Sequence, residues 1–282
     1  MREISETLRS TFRRAFGLEN RRAAVRPGRL DRIPPFESKI LGNTREVVVY
    51  LPAGYDERED QRYPVLYMHD GQNLFEPDRA FIPGNHWRLA EAADQAIGGR
   101  SAEPMIIVGV DNAGASRIDE YTPTHDPSKK AGGRAADYAR MLIEELKPLI
   151  DARYRTLADP DHTAAGGSSL GGLNALYQIL HHPEVFGRAA VMSPSIWWHG
   201  RVILGDLQTF SGRQPRIWVD IGGREGAEAL EGARALRDAI RERGWANAGF
   251  SYREDRRGDH SERSWAGRSR AMLEFLFPPR QL

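Results

Sequence analysis

Gly166-Gly167-Ser168-Ser169-Leu170-Gly171-Gly172 is the stretch on which the reading of this chain turns. Gly167 to Gly171 spells G-x-S-x-G with Ser169 at its centre. In front of it His162-Thr163-Ala164-Ala165 reads as a short buried strand. Behind it Leu173-Asn174-Ala175-Leu176-Tyr177-Gln178-Ile179-Leu180 reads as a helix. A strand that turns sharply into a helix lifts a serine hydroxyl above the sheet edge and points the helix N-terminus at it. The glycines are a steric demand of that turn, because a side chain at either flank would collide with it. Ser169 is therefore the candidate nucleophile.

Working outward, the same alternation recurs. Strands are expected at Arg45 to Leu51, Tyr63 to Met68, Met105 to Val110, His162 to Ala165, Ala189 to Met192, Arg216 to Ile221 and Phe250 to Arg253. Helices are expected at Trp87 to Ala96, Arg134 to Tyr154, Gly172 to His181, Gly226 to Arg243 and Trp265 to Phe277. Strands alternating with helices predict an α/β fold, a mostly parallel sheet covered on both faces. The first two strands, ending near Pro52 and starting near Tyr63, read as an antiparallel hairpin at one edge. Asn112 to Gly133 reads as a long loop after a strand end, where pocket-forming loops sit. Residues 1–30 stand apart. Ile4, Leu8, Phe12 and Phe16 recur every four residues with Arg9, Arg13 and Arg14 between them, an amphipathic helix with a basic face. Arg26-Pro27-Gly28-Arg29 reads as a linker, and residues 31–282 as one catalytic domain.

Composition removes several function classes. The formal net charge of +1, from 40 Lys+Arg against 39 Asp+Glu, supplies no field for nucleic acid or a membrane surface. With no cysteine there is no disulfide, no thiol nucleophile and no cysteine-ligated metal. No apolar run approaches the roughly 18 residues needed to cross a bilayer, and the polar start Met1-Arg2-Glu3-Ile4-Ser5-Glu6 lacks a secretory core. The expectation is a cytoplasmic protein without cofactor or metal, acting on a small molecule, with self-association through the N-terminal helix as one use of that extension.

A serine hydroxyl needs a base, and the base needs a third group to hold its tautomer. Where the serine comes first in the chain, the order is serine, acid, histidine. His260, in the polar turn Gly258-Asp259-His260-Ser261-Glu262 between the last strand and last helix, is the expected base. His181 and His182 end the helix that begins at the serine and point away from it, and His199 reads as a pocket or surface residue. Two carboxylates compete for the acid. Glu225, in the turn Gly222-Gly223-Arg224-Glu225, is preferred over Asp220, whose side chain inside the strand faces one sheet layer. The oxyanion that forms on an attacked carbonyl should meet two backbone amides. Leu170 supplies one, and the loop His69-Asp70-Gly71-Gln72-Asn73 the other, through Gln72 with Gly71 as fallback. His69 and Asp70 read as structural supports of that loop.

Several motifs in order extend the match well beyond the pentapeptide. They are Tyr67-Met68-His69-Asp70-Gly71-Gln72-Asn73-Leu74-Phe75, Glu120-Tyr121-Thr122-Pro123, Gly166 to Gly172, Ser193-Pro194-Ser195-Ile196-Trp197-Trp198, and Gly258 to Glu262 with Trp265 and Arg268. Together they resemble the esterase branch of the α/β-hydrolases, which includes enterochelin-type, feruloyl and acetylxylan esterases, over roughly residues 36–280. The resemblance implies an ester hydrolase with Ser169 as nucleophile, Glu225 as acid and His260 as base, needing no metal. Glu replaces the commoner Asp at the acid position, and the extension before residue 30 lies outside the likeness. Pocket walls are expected from Phe75 to Trp87, Asn112 to Gly133 and Ser195 to Gly200, with Trp87, Trp197 and Trp198 as aromatic contacts. Arg117 and Arg224 are the cations for an anionic substrate. An acyltransferase with the same triad, or a non-catalytic binding protein on the same fold, remain the alternatives.

Overall fold

The computed structural model describes residues 26–245 and 247–280, so the N-terminal amphipathic helix expected before residue 26 lies outside the described residues. Eight strands form one sheet: β1 (Arg29–Arg32), β2 (Val47–Leu51), β3 (Val65–His69), β4 (Ile106–Val110), β5 (Thr163–Ser168), β6 (Arg188–Met192), β7 (Arg216–Gly222) and β8 (Phe250–Asp255). Their order across the sheet is β1-β2-β4-β3-β5-β6-β7-β8. β1 and β4 each run antiparallel to β2, and every other neighbouring pair is parallel.

The strand sequences explain why the sheet is covered on both faces. Val47, Val49 and Leu51 of β2, Val65 and Tyr67 of β3, and Ile106, Val108 and Val110 of β4 enter one hydrophobic core. Val48, Tyr50, Leu66, Met68 and Ile107, which alternate with them, enter a second core. A period of two with apolar residues at every position requires an apolar layer on each side. One layer is built from α1 (Leu89–Gly98) and α7 (Glu262–Leu276), which supply Leu89, Ala93, Trp265, Met272 and Leu276. The other layer holds α2 (Arg117–Tyr121), α3, α4 (Leu170–His181), α5 (Ile203–Thr209) and α6 (Ala227–Glu242). α3 is a run of Ala135–Arg140, a wider π-type segment Met141–Leu146, and Lys147–Arg153. All residues of α4 from Leu170 to Leu180 are buried, as befits a central helix.

Three expectations are corrected. The hairpin of the first two expected strands does not form. β2 pairs with β4, from Val47 opposite Val110 to Tyr50 opposite Ile107, and β3 lies beyond β4. The link from Pro52 to Pro64 is longer than a hairpin turn, so it imposes no adjacency. Second, Arg29 is not linker but the first residue of β1, opposite Leu51. Its sequence, Arg-Leu-Asp-Arg, lacks apolar alternation because charges suit a sheet edge. Third, the long loop Asn112 to Gly133 contains α2, which brings Arg117 toward the sheet edge and buries Glu120 and Tyr121.

α2 is anchored by a buried ion pair. Arg45 Nη2 lies 3.1 Å from both oxygens of Glu120, whose side chain is fully buried, and Asn43 Nδ2 donates to Glu120 Oε1 at 2.9 Å. Removing one member of such a pair leaves an uncompensated buried charge. Arg45→Met is therefore expected to destabilise the fold by about 3–5 kcal/mol. Arg45→Met combined with Glu120→Leu should recover much of that loss, both read from denaturant midpoints.

Candidate active site

β5 ends at Ser168 and α4 begins at Leu170, leaving Ser169 between them at φ 58°, ψ −123°. A non-glycine residue at positive φ is strained and persists only where its surroundings over-determine it. Here they do. The Ser169 amide donates to Met192 O at 3.1 Å, and Ser169 O accepts from the amides of Ser195 and Leu173, each at 3.0 Å. The glycine requirement is physical, since a Cβ at Gly167 would lie 2.8 Å from the Gly171 carbonyl carbon.

The acid position is built at the end of β7. The chain turns after Gly222, and the Gly222 amide donates to Glu225 Oε1 at 2.7 Å. The Ser193 hydroxyl donates to the same oxygen at 2.5 Å. Ser193 Oγ itself accepts from Trp265 Nε1 and Arg268 Nη2, both at 2.9 Å. With both lone pairs engaged, its one proton is directed at Glu225. Oε1 is thus occupied, and Oε2 faces His260 Nδ1 at 2.7 Å. Burial works to raise the Glu225 carboxyl, but the His260 ring, the Ser193 hydroxyl and the Gly222 amide together hold it below its ordinary value. An ionised carboxylate on Nδ1 places the ring proton there and leaves Nε2 as acceptor. The other acid candidate, Asp220, is fully buried. It accepts from Trp218 Nε1 at 2.7 Å and pairs with Arg268 Nε at 3.1 Å, away from His260.

Ser169 and His260 line one cleft of about 360 Å³, together with Gln72, Arg117 and Glu262. Ser169 Oγ lies 3.3 Å from Ser195 Oγ. Among the described residues no hydrogen bond joins Ser169 to His260. His260 is 45% exposed, and its ring meets Trp265 edge-on with centroids 5.0 Å apart. Across the cleft, Asp70 takes a left-handed conformation at φ 57° and leads into the 3-10 turn Gly71–Asn73. Gly71 lies so close to β4 that a Cβ there would be 2.6 Å from the Val110 nitrogen. Among the described residues the Gln72 and Leu170 amides have no acceptor. For Leu170 that follows from its place in the first turn of α4. The loop is braced by Asp70, which takes Arg117 Nε and Nη2 at 2.7 and 2.8 Å and Asn112 Nδ2 at 2.7 Å. His69 is buried, with Nδ1 3.1 Å from Tyr138 Oη.

The model of the family described as "Putative esterase" matches residues 38–276. The chain belongs to that family. Its class is that of the carboxylic ester hydrolases, on an α/β-hydrolase sheet. YbbA of Bacillus subtilis, an uncharacterised protein, is 24% identical over 252 residues, covering 85% of this chain and 95% of its own. The iron(III) enterobactin esterase of Dickeya dadantii is 41% identical over 186 residues, covering 65% of this chain but 38% of its own length. Among solved structures, an IroE-like serine hydrolase from Shewanella oneidensis superposes with a TM-score of 0.72 at 22% identity, covering 89% of this chain and 80% of its own.

Within this esterase the tryptophan expectations are corrected. None of Trp87, Trp197 and Trp198 lines the cleft. Trp87 is buried and stacks on Trp265, with ring centroids 5.7 Å apart. Trp198 is fully buried, its Nε1 donating to Thr124 O at 3.0 Å. Trp197 packs beside it under Lys129 Nζ, 5.7 Å from the ring centroid. Large indoles close to a strand end were needed to seal the core below the loops. Arg117 does reach the cleft, but its charge is spent on Asp70. Arg224 is exposed and lies outside the cleft, its amide donating to Gly258 O at 2.9 Å. Of the histidines set aside, His199 binds Thr124 Oγ1 at 2.8 Å and His181 binds Asp206 at 3.0 Å. The sequence reading assigned no role to Ser193, Ser195, Arg268 or Glu262. Ser193, Ser195 and Arg268 sat in recognised motifs, but what they touch depends on strands and helices distant in the chain.

Two outcomes follow from these contacts. Burial pushes the His69 imidazole down to about 4, with the neighbouring Asp70 carboxylate working against it. The folded state thus favours neutral His69. This contribution is complete above the unfolded value of about 6.5 and is lost as pH falls toward 4, a loss of about 3 kcal/mol. Unfolding free energy measured between pH 7 and 4 should fall accordingly, and His69→Gln should flatten that slope. Ser193→Ala removes one donor from Glu225 and one acceptor from Trp265 and Arg268. It should lower kcat for a simple ester by about tenfold with little change in KM, since the loss concerns the base rather than substrate contacts.

Proposed function

We propose that the protein is a serine carboxylesterase in which Ser169 is the nucleophile, His260 the general base and Glu225 the acid that holds the base. The observation that carries this reading is the 2.7 Å contact between Glu225 Oε2 and His260 Nδ1 in the cleft that also holds the strained Ser169. The chemistry runs as follows. An ester carbonyl enters above Ser169, whose hydroxyl leaves Ser195 and turns to His260 Nε2. Catalytic hydrogen bonds of this kind tighten when substrate is bound. Oγ attacks the carbonyl carbon while Nε2 takes its proton, and the imidazolium is stabilised by ionised Glu225. The negative carbonyl oxygen is received by the amides of Leu170 and Gln72, each such donor contributing about 3–4 kcal/mol to the transition state. The imidazolium then protonates the departing alcohol, leaving an acyl-enzyme on Ser169. Water, deprotonated by the same ring, releases the acid and restores the serine.

The substrate on this reading is a small-molecule ester. Relatives whose names state a substrate include iron(III) enterobactin and salmochelin esterases, and the chain spans about a third to two-fifths of their length. No described helix is long and apolar enough to cross a membrane.

Ser169→Ala should reduce hydrolysis of 4-nitrophenyl acetate by about four to six orders of magnitude while leaving the unfolding midpoint near that of the parent. A fluorophosphonate should label the parent at Ser169 and leave the variant unlabelled. Full turnover by the variant would refute the nucleophile.

A further inference from the structure

The cleft holds a carboxylate that the proposed mechanism does not use. Glu262, in the first turn of α7 and two residues beyond His260, lines the same cavity as Ser169. Among the described residues its oxygens meet only neutral donors, Asn73 Nδ2 at 3.5 Å and Asn85 Nδ2 at 3.2 Å. Asn73 belongs to the turn that carries the Gln72 amide. Its Oδ1 accepts from the Phe81 amide at 2.9 Å, so the same contact shapes the rim. The one arginine on the cleft wall, Arg117, is held bidentate by Asp70 at 2.7 and 2.8 Å. With His260 neutral, the wall therefore carries two carboxylates against one guanidinium. Its most prominent apolar feature is Phe81, 81% exposed at the rim.

We infer that Glu262 is a specificity-determining residue that makes this cleft select esters bearing no negative charge near the scissile bond. The inference rests on the esterase reading above. The oxyanion formed during attack has amides to receive it, whereas a carboxylate or phenolate on the body of the substrate faces Glu262 with no free cation among the described residues. A cleft with low-dielectric walls strengthens that repulsion relative to open water. A tris-catecholate complex of iron(III), with three negative charges, is disfavoured. Neutral esters with an apolar group fit the wall, and cationic ones are favoured further.

The test uses the full chain and three aryl acetates matched in size: 3-acetoxybenzamide, 3-acetoxybenzoate and 3-(trimethylammonio)phenyl acetate. Each kcat/KM is corrected by the rate of hydroxide hydrolysis. The parent should prefer the benzamide to the benzoate by about tenfold and should accept the cation at least as well as the benzamide. Glu262→Gln, nearly isosteric, should narrow the benzamide-to-benzoate ratio by about fivefold. Raising the salt concentration with the parent protein should narrow the same ratio without any substitution. A parent that prefers the benzoate overturns the inference. So does a ratio that neither the variant nor salt moves while the benzamide is turned over in a Ser169-dependent manner. If the benzamide is not hydrolysed through Ser169 at all, the esterase reading itself fails and this inference goes with it.

Discussion

The Glu225 carboxylate ties the candidate site to the rest of the molecule. One oxygen is held by the end of β7 through the Gly222 amide and by the end of β6 through Ser193, and the other meets His260 from the loop before α7. Ser193 is in turn fixed by Trp265 and Arg268 of α7. A group buried to 1% side-chain exposure tolerates this position only because each oxygen has its partners. The same contacts hold the carboxyl ionised and therefore able to stabilise an imidazolium on the proposed mechanism. Two strand ends and a helix thus converge on one anion, and the geometry of the base depends on all three.

The opposite wall is built on the same logic with different parts. Asp70 at positive φ, the Arg117 guanidinium and the Asn112 amide lock the turn after β3. The buried Arg45–Glu120 pair anchors the helix from which Arg117 reaches. Charge in this wall is consumed in holding backbone, so little positive potential is left to attract an anion. Glu262 adds a negative charge that no neighbouring cation offsets. The electrostatic character of the cleft is therefore a by-product of how its loops are stiffened.

Much of the fold was legible because the strands carry their own signal. Val47 to Leu51 and Ile106 to Val110 are apolar at every position, which only a sheet covered on both faces can use. The Ser169 turn was legible because its glycines are demanded by contacts within the motif, Gly167 against Gly171. Choosing Glu225 over Asp220 was also possible locally, since a residue past the strand end can reach over the edge while one inside the strand faces a layer. The reading failed where identity and location part company. Trp87 and Trp198 carry the residue type of a binding wall and the burial of a core. The polar strand Arg29–Arg32 has no pattern, because an edge needs none.

By itself the sequence determined the alternation of strands and helices, the sharp turn at Ser169 and the chain order of nucleophile, acid and base. These are properties of neighbouring residues, set by side-chain periodicity and by the steric demands of glycine turns. Only the tertiary structure decided that β2 lies beside β4, that Ser193 directs its proton to Glu225, that Arg117 is neutralised by Asp70, and that Glu262 faces the cleft unopposed. Each of those depends on which groups distant in the chain come within a hydrogen bond of one another. That distance is a consequence of packing two apolar layers onto one twisted sheet, and no local pattern encodes it.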